Sequence, residues 1–351
     1  MHRLLVSTLV VGASLGVLSH RAQAEDPTPE KPVTLRIATM APEGTPWAEL
    51  MTRYRRKVEA RTGKRVIVKV LLGGKFGGEN ETVTKTVNGQ LSAVAASTGA
   101  VASIVPELHP IELPFLFRSF NEADYILDVV LTKPMEEHFR KRGLVLGFWS
   151  ENGFRHFGTN FGAIHRPEDL RGKVMRSQES SVHLEMWNAL KASPKALPTT
   201  EVLTALGTGA VAGFDQGLVF AMVAKWHQAV KFMTLSSHIY QPAVVAFNKA
   251  WFDALPSDIQ TALVEEGRAI QKQGRQLIRA VNSDFVAALK KPPEDPSEKQ
   301  VVVNVLTDAE RDVFAKAMLS VRAAFRANSK VIESAKATLT LIEDGLAKFR
   351  K

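Results

Sequence analysis

Cysteine is absent from the 351-residue sequence. Its absence excludes a disulfide framework, a thiol nucleophile, a cysteine-bound metal and a lipid-attachment cysteine. Also missing are H-E-x-x-H, G-x-x-x-x-G-K-[ST] and G-x-G-x-x-G, the arrangements that hold catalytic zinc, nucleoside triphosphates and dinucleotides. A single G-x-S-x-G, Gly12 to Gly16, falls inside a segment read below as removed on export, so it offers no nucleophile. The nine histidines are scattered, and His156 is the only one near the stretch where a site is predicted. An isolated histidine is more often a hydrogen-bonded structural residue than a catalyst. Neither an enzyme nor a cofactor is predicted.

Long apolar runs are equally scarce. The one present, Leu4 to Leu18, follows Arg3 and precedes Ala22-Gln23-Ala24, a small-x-small cleavage pattern. Residues 1–24 therefore read as an export signal cut near Ala24, and the mature chain as periplasmic. The run stops at His20 and Arg21, short of the roughly 20 apolar residues that a membrane span needs. About 327 residues remain, enough for two domains with separate cores. Without Arg3 and Arg21 the formal charge of +9 becomes about +7. Basic residues are interleaved with acidic ones and form no run mixed with aromatics, so nucleic acid is not predicted as a partner. A modest positive field that gathers anions and an uninformative solvated surface both fit this balance.

What is present is an alternation of periods. Val33, Leu35 and Ile37 alternate with polar residues as in a half-buried strand. Thr45 and Pro46 then open a helix whose stripe is Trp47, Leu50, Met51, Tyr54 and Val58, ended by Gly63. Val66, Val68, Val70 and Leu72 restore strand alternation, the GGKFGG turn at 73–78 follows, and Glu79 to Gly89 reads as a second helix. Strand, helix, strand, helix predicts an α/β domain with a largely parallel sheet and ligands beyond the carboxyl ends of its strands. LSAVAAST, 91–98, reads as a buried strand that delivers Ser97 and Thr98 to a cleft. The three prolines of PELHPIELPFLF, 106–117, exclude a regular helix. A helix from about Asn121, broken near Pro134, leads to a strand at Leu144 to Trp149. Ser257 with Gln260 predicts a capping box, and Ile259, Leu263, Ile270, Leu277 and Val281 carry an apolar face to about Leu289. Residues 291–299 read as an irregular linker, and Asp308 to Lys351 as helical.

The residue that carries chemistry is Arg176, at the end of PEDLRGKVMR. A guanidinium offers a planar fork of donors that fits a carboxylate. Two readings stand: Arg176 holds the carboxylate of a ligand, or it pairs with an internal one such as Glu179 or Asp215.

GFRHFGTN at 153–160, PEDLRGKVMR at 167–176, LPTTEVLTALGTGAVAGFDQ at 197–216 and FNKAWFDALPSDIQ at 247–260, in that order and spacing, resemble the periplasmic solute-binding proteins of tripartite ATP-independent (TRAP) transporters, the DctP-like family. The resemblance runs from about Thr34 into the long helix after Ser257. It implies an α/β, two-domain periplasmic binding protein fold with a ligand cleft between the domains and a long bridging helix. The expected division is 25–153 with part of about 242–285, and 154–241 with about 286–351. It implies a small organic acid, most simply a carboxylate, as ligand, and a small and a large integral membrane subunit as partners.

By the same resemblance, the arginine of KVMR, Arg176, makes the salt bridge to the ligand carboxylate. A second arginine, Arg155 in GFRHF, either contributes to it or makes an interdomain ion pair. Asp215 and Gln216 stand where a glutamate and an asparagine are usual, so the amide is carried on a longer side chain. From the first domain, Met40 and Ala41, Glu79, and Ser97 and Thr98 occupy contact positions. Glu79 either accepts bonds from a ligand or favours the start of its helix. Thr199 sits where relatives place an aromatic ring, or is simply a helix cap. RSQES after Arg176 and LSAV after Gln90 depart from the family pattern. Three other identities are consistent with this chain: a receptor for an ABC importer, a periplasmic enzyme or sensor acting on the same acids, and an architectural protein that has lost its ligand.

Overall fold

The computed structural model describes residues 26–292 and 300–351. The export signal expected at 1–24 and most of the linker expected at 291–299 lie outside the described residues. No helix among the described residues is long and apolar enough to cross a membrane.

The first half of the chain follows the periodicities. β1 (Val33–Thr39) buries Leu35 and Ile37. In α1 (Pro46–Arg61) the Thr45 hydroxyl accepts from the Ala48 amide at 3.1 Å, and the predicted stripe is buried. β2 (Val66–Leu71), α2 (Glu79–Val87), β3 (Ala93–Ser97) and the short α3 (Thr98–Val101) complete the unit. Pro106–Glu112 forms a 3-10 segment. Next, α4 (Phe120–Tyr125) runs through a widened π-helical turn, Ile126–Leu131, into α5 (Thr132–Lys141). The helix is thus loosened ahead of Pro134 rather than ended by it, because a proline inside a helix lacks the N–H and crowds the carbonyl four residues back.

The expected strand at Leu144 to Trp149 is much longer: β4 (Leu144–Thr159) spans 16 residues. β5 (Val174–Ser177), α6 (Ser181–Ala189), β6 (Ser193–Ala196), α7 (Val202–Gly207), β7 (Gly213–Gly217) and α8 (Leu218–Val223) follow. Then comes β8 (Phe232–Asn248), the antiparallel partner of β4 along almost its whole length. Polar residues and Gly153 interrupt the apolar pattern in the middle of β4. A partner strand satisfies its backbone there, and tertiary pairing overrides local composition. Register shifts after Leu146, Glu151 and Arg155 bend the pair, and the second falls where Glu151 faces Pro242 and Gly153 faces Gln241.

The strand order is β2-β1-β3-β8-β4-β7-β5-β6. The outer pairs β1–β2, β1–β3, β5–β6 and β5–β7 are parallel, and the central pairs β3–β8, β4–β8 and β4–β7 antiparallel. Two parallel α/β lobes are therefore joined through two strands that run from one into the other. The carboxyl ends of β1, β3, β5 and β7 meet at the middle of the sheet, where such a fold places ligands.

After α9 (Lys249–Asp253) comes α10 (Ser257–Leu289), 33 residues and about 50 Å long, packed on α1, β4 and α8. Gly267 and Gly274 allow the close approach: a Cβ there would sit 2.0 Å from Phe148 and 2.6 Å from Leu50. The predicted capping box is not formed. Pro256 occupies the N-cap, and the Gln260 amide donates back to the Leu255 carbonyl at 2.8 Å. A capping box is instead made by Thr307 and Glu310 at the start of α11 (Asp308–Ala327), which follows β9 (Val302–Val305). α12 (Glu333–Phe349) packs on Pro106–Glu112 and Ile126–Leu131, in the stretch expected in the first domain, although its sequence position suggested the second. Its apolar face, Leu339, Ile342 and Leu346, finds its complement there, with Gly345 against Ile126.

Candidate functional site

A cavity of about 50 Å³ opens where the strand ends meet. Of the predicted site residues, Met40, Glu79, Ser97, Arg176, Thr199 and Gln216 line it, together with Ala41. Arg155, Asp215 and Thr98 do not reach it and stand behind the wall, fully buried. The wall also includes Trp47, Asn152, Gln178, Phe220 and Gln241, none of which the sequence had singled out.

Arg176 comes from the end of β5, pairing with Phe214 of β7 and Lys195 of β6. It is 2 % exposed. Nε and Nη2 both donate to the Leu197 carbonyl, at 3.1 and 2.9 Å, and the guanidinium lies 5.2 Å from the Trp226 ring centre. No carboxylate among the described residues pairs with it, and its Nη1 is buried without a hydrogen-bond partner. Burial, with the nearby Arg155 charge, lowers its pKa to about 10, so it is charged at neutral pH. Buried donors, and buried charges above all, are normally satisfied. This one is held in place at one edge and left open at the other.

Arg155 is the opposite case. Its Nε donates to Asp215 Oδ2 at 2.5 Å and its Nη2 to the Asp215 carbonyl at 2.6 Å. Nη1 donates to the side-chain oxygens of Gln241 (2.8 Å), Gln216 (2.9 Å) and, more loosely, Gln178 (3.3 Å). A guanidinium has no acceptor, so any amide atom bonded to it must be oxygen. Arg155 thereby fixes which way three glutamines point, with their NH2 groups turned away. The Gln241 NH2 donates to Glu112 and Gln178, and the Gln178 NH2 to the Ser97 hydroxyl at 2.9 Å. The Gln216 NH2 is left without a partner among the described residues, on the cavity wall.

Behind Arg155 lies an acid–imidazole cluster. Thr98 and His183 both bond to Glu112, at 2.5 and 2.6 Å, and the rings of His183 and His238 stand 3.7 and 3.4 Å from Asp215. Burial pushes the Asp215 carboxyl upward, but the Arg155 charge and the two imidazoles outweigh it and hold it well below the usual range. Glu112 is likewise lowered against its burial, by His183 and Thr98. Burial, helped by the His238, Arg311 and Arg155 charges, depresses His156 to about 3, so this ring is neutral, accepting from the Ser237 amide at 3.2 Å. The expectation that His156 is the only histidine near the cleft is thus corrected: His183 and His238 also stand behind its rear wall, against Glu112 and Asp215. They gave no local signal, because the contact between His183 and Glu112 joins residues 71 apart in sequence. Among the described residues no group of carboxylates and imidazoles is arranged to hold a metal ion.

Across the cavity, Glu79 begins α2 and accepts from the Ser97 amide (2.9 Å) and hydroxyl (2.7 Å), while burial raises its pKa. Glu79 and Arg176 feel one another's charge without forming an ion pair. The Gln178–Ser97 bond joins the RSQES segment to the end of β3, so it ties one lobe to the other. Gly99 has to be glycine for this: a Cβ would lie 2.9 Å from both Gln178 Nε2 and Glu112 Oε2. Met40 lies over Gly74, whose φ of +68° and lack of Cβ make room for the thioether. Thr199 opens a 3-10 turn, Thr199–Glu201, leading into α7, with Pro198 rather than Thr199 at its N-cap.

The family described as bacterial extracellular solute-binding protein, family 7 (DctP), matches residues 37–328. A solute-binding protein of Verminephrobacter eiseniae (strain EF01-2) is 32% identical over 257 residues, which is 73% of this chain and 77% of that protein. The 2,3-diketo-L-gulonate-binding periplasmic protein YiaO of Escherichia coli (strain K12) is 26% identical over 262 residues, 74% of this chain and 77% of that one. Among solved structures, the sugar acid binding protein DctPAm from Advenella mimigardefordensis strain DPN7T, in complex with galactonate, superposes with a TM-score of 0.82 at 25% identity, covering 90% of this chain and 99% of that chain.

Proposed function

The chain belongs to family 7 of the bacterial extracellular solute-binding proteins, and from that footing we propose that it is the periplasmic receptor of a TRAP-type transporter, binding a small organic acid between its lobes. Arg176 holds the ligand carboxylate, and the two membrane subunits receive the closed, loaded form. The observation that carries this reading is the buried Nη1 of Arg176, a charged donor beside a cavity with nothing to donate to. Neither alternative for that residue, exposure to bulk solvent or an internal ion pair, fits its surroundings.

The remaining assignments follow from the same wall. Gln216 supplies a second donor beside Arg176. Glu79, Thr199 and Met40 contact the rest of the ligand, with Ser97 holding Glu79. Arg155, Asp215 and Thr98 act from behind, by fixing the wall rather than touching the ligand. The lobes divide where β4 and β8 cross, near Asn152 and Gln241, and closure brings Gln178 to Ser97. The ligand favours the closed form by its differential affinity for it. The chain performs no reaction, and residues 1–24 direct it to the periplasm.

A thermal-shift screen with organic acids tests the reading. A ligand at a hundred times its dissociation constant stabilises the fold by about 2.7 kcal/mol. Arg176→Ala is expected to abolish that shift. A full shift in the variant, or no shift with any acid, contradicts the assignment.

A further inference from the structure

We propose that the cleft selects an acid with one carboxylate and several hydroxyl groups over a dicarboxylate of the same length. The inference rests on the receptor reading above and narrows it to a substrate class.

It starts from a count of the charges that face the cavity. Arg155, the other arginine that could have faced it, is diverted. Arg155 spends Nε and Nη2 on Asp215 and Nη1 on three glutamine oxygens, and it is 0 % exposed. The cavity lining contains one other charged side chain besides Arg176, and it is acidic: Glu79. A ligand carboxylate that takes the open donor of Arg176 neutralises the one cation that lines the cavity. A second carboxylate has no cation left to meet, and wherever it lies the Glu79 charge opposes it. In a water-poor cleft an unpaired charge is the costliest group to bury.

The other polar groups on the wall suit neutral hydroxyls, which both donate and accept. Gln216 presents an NH2 donor whose orientation Arg155 enforces. The Thr199 hydroxyl has no partner among the described residues and can do either. Asn152 gives its NH2 to Gln241 at 3.3 Å, leaving its oxygen free to accept. Glu79 accepts one bond at each oxygen from Ser97 and keeps lone pairs for more. Trp47, Phe220, Met40 and the Ala95–Ala96 strip give the carbon chain an apolar side on which to lie.

The test is a calorimetric titration of the purified mature protein with pairs that differ in the second carboxylate alone: D-gluconate against D-glucarate, and D-erythronate against meso-tartrate. The better monoacid is expected to bind at least tenfold more tightly than its diacid. Hexanoate, which keeps the carboxylate and drops the hydroxyls, is expected to lose at least tenfold against gluconate. Equal or tighter binding of the diacids, of hexanoate, or of a zwitterionic amino acid such as glutamine overturns the proposal while leaving the receptor reading intact. Silence with every acid overturns both. Glu79→Gln removes the opposing charge and keeps the shape, so the preference for monoacid over diacid should narrow at least threefold. An unchanged ratio in that variant removes the electrostatic basis of the selection.

Discussion

Two arginines lie in adjoining parts of one sheet, both buried, and their surroundings differ in kind. Around Arg155 every nitrogen has a partner. Around Arg176 two nitrogens share one carbonyl, and the third has none. A saturated buried cation fixes its neighbours and resists change. One left open retains part of its desolvation cost until something arrives to satisfy it. If Arg176 receives the ligand as proposed, the difference separates the scaffold of the site from its ligand-facing surface, although both residues were candidates for ligand contact on sequence grounds.

The largest test of that contrast is stability. Asp215→Ala leaves Arg155 as an uncompensated buried charge and should cost about 3–5 kcal/mol in chemical denaturation. Arg176→Leu, which removes a charge that already lacks a counter-ion, should change apo stability by less than about 1 kcal/mol or raise it. Equal losses in the two variants would erase the distinction. Next comes affinity: Arg176→Lys cannot keep the two bonds to Leu197 and also offer a third nitrogen to a ligand. Calorimetry should show a loss of about 1.5–3 kcal/mol for the best acid.

The rear wall can be sharpened by pH. The His156 ring has its folded pKa depressed to about 3 by burial and by the His238, Arg311 and Arg155 charges, against 6.5 in the unfolded chain. The unfolded state therefore binds the extra proton as pH falls below about 6.5, and this ring alone removes about 1.4 kcal/mol per pH unit down to about 3. Denaturation of the wild type against His156→Gln at pH 7, 5.5 and 4.5 should show the variant with the flatter acid limb. Parallel curves would mean that the ring is not held neutral. The smallest effect is expected from Gln178→Ala, which removes the bond to Ser97 across the lobes. The closed form should lose about 0.5–1.5 kcal/mol relative to the open one, visible as a shift in interlobe distance by spectroscopic labelling.

The elements of the first lobe were legible because their signals are local. Thr45 caps, Pro46 starts, and Val33, Leu35 and Ile37 alternate, each within a few residues of the structure it makes. The place of Arg176 at the end of a short strand was legible as well, but not its surroundings: Glu179 and Asp215 stood open as partners, and the Leu197 carbonyl takes that place. What could not be read was whatever depends on residues far apart. β4 looked like a six-residue strand until β8 supplied a partner for the rest. Ser257 and Gln260 have the spelling of a capping box, but Pro256 takes the cap and Gln260 turns back to Leu255. Arg155 stood open between a ligand contact and an interdomain ion pair because nothing nearby in sequence shows that Asp215, 60 residues on, claims it. Gln178 and Gln241 gained their place on the wall only through the fold.

The central claim is that the open nitrogen of Arg176 receives the ligand's carboxylate. A crystal structure of the protein with the organic acid that gives the largest thermal shift tests it most directly. A carboxylate oxygen is expected about 2.7–2.9 Å from Nη1 of Arg176, with Arg155 still bound to Asp215 and the three glutamines. A carboxylate seated elsewhere, with Arg176 bonded to Leu197 alone, would contradict it.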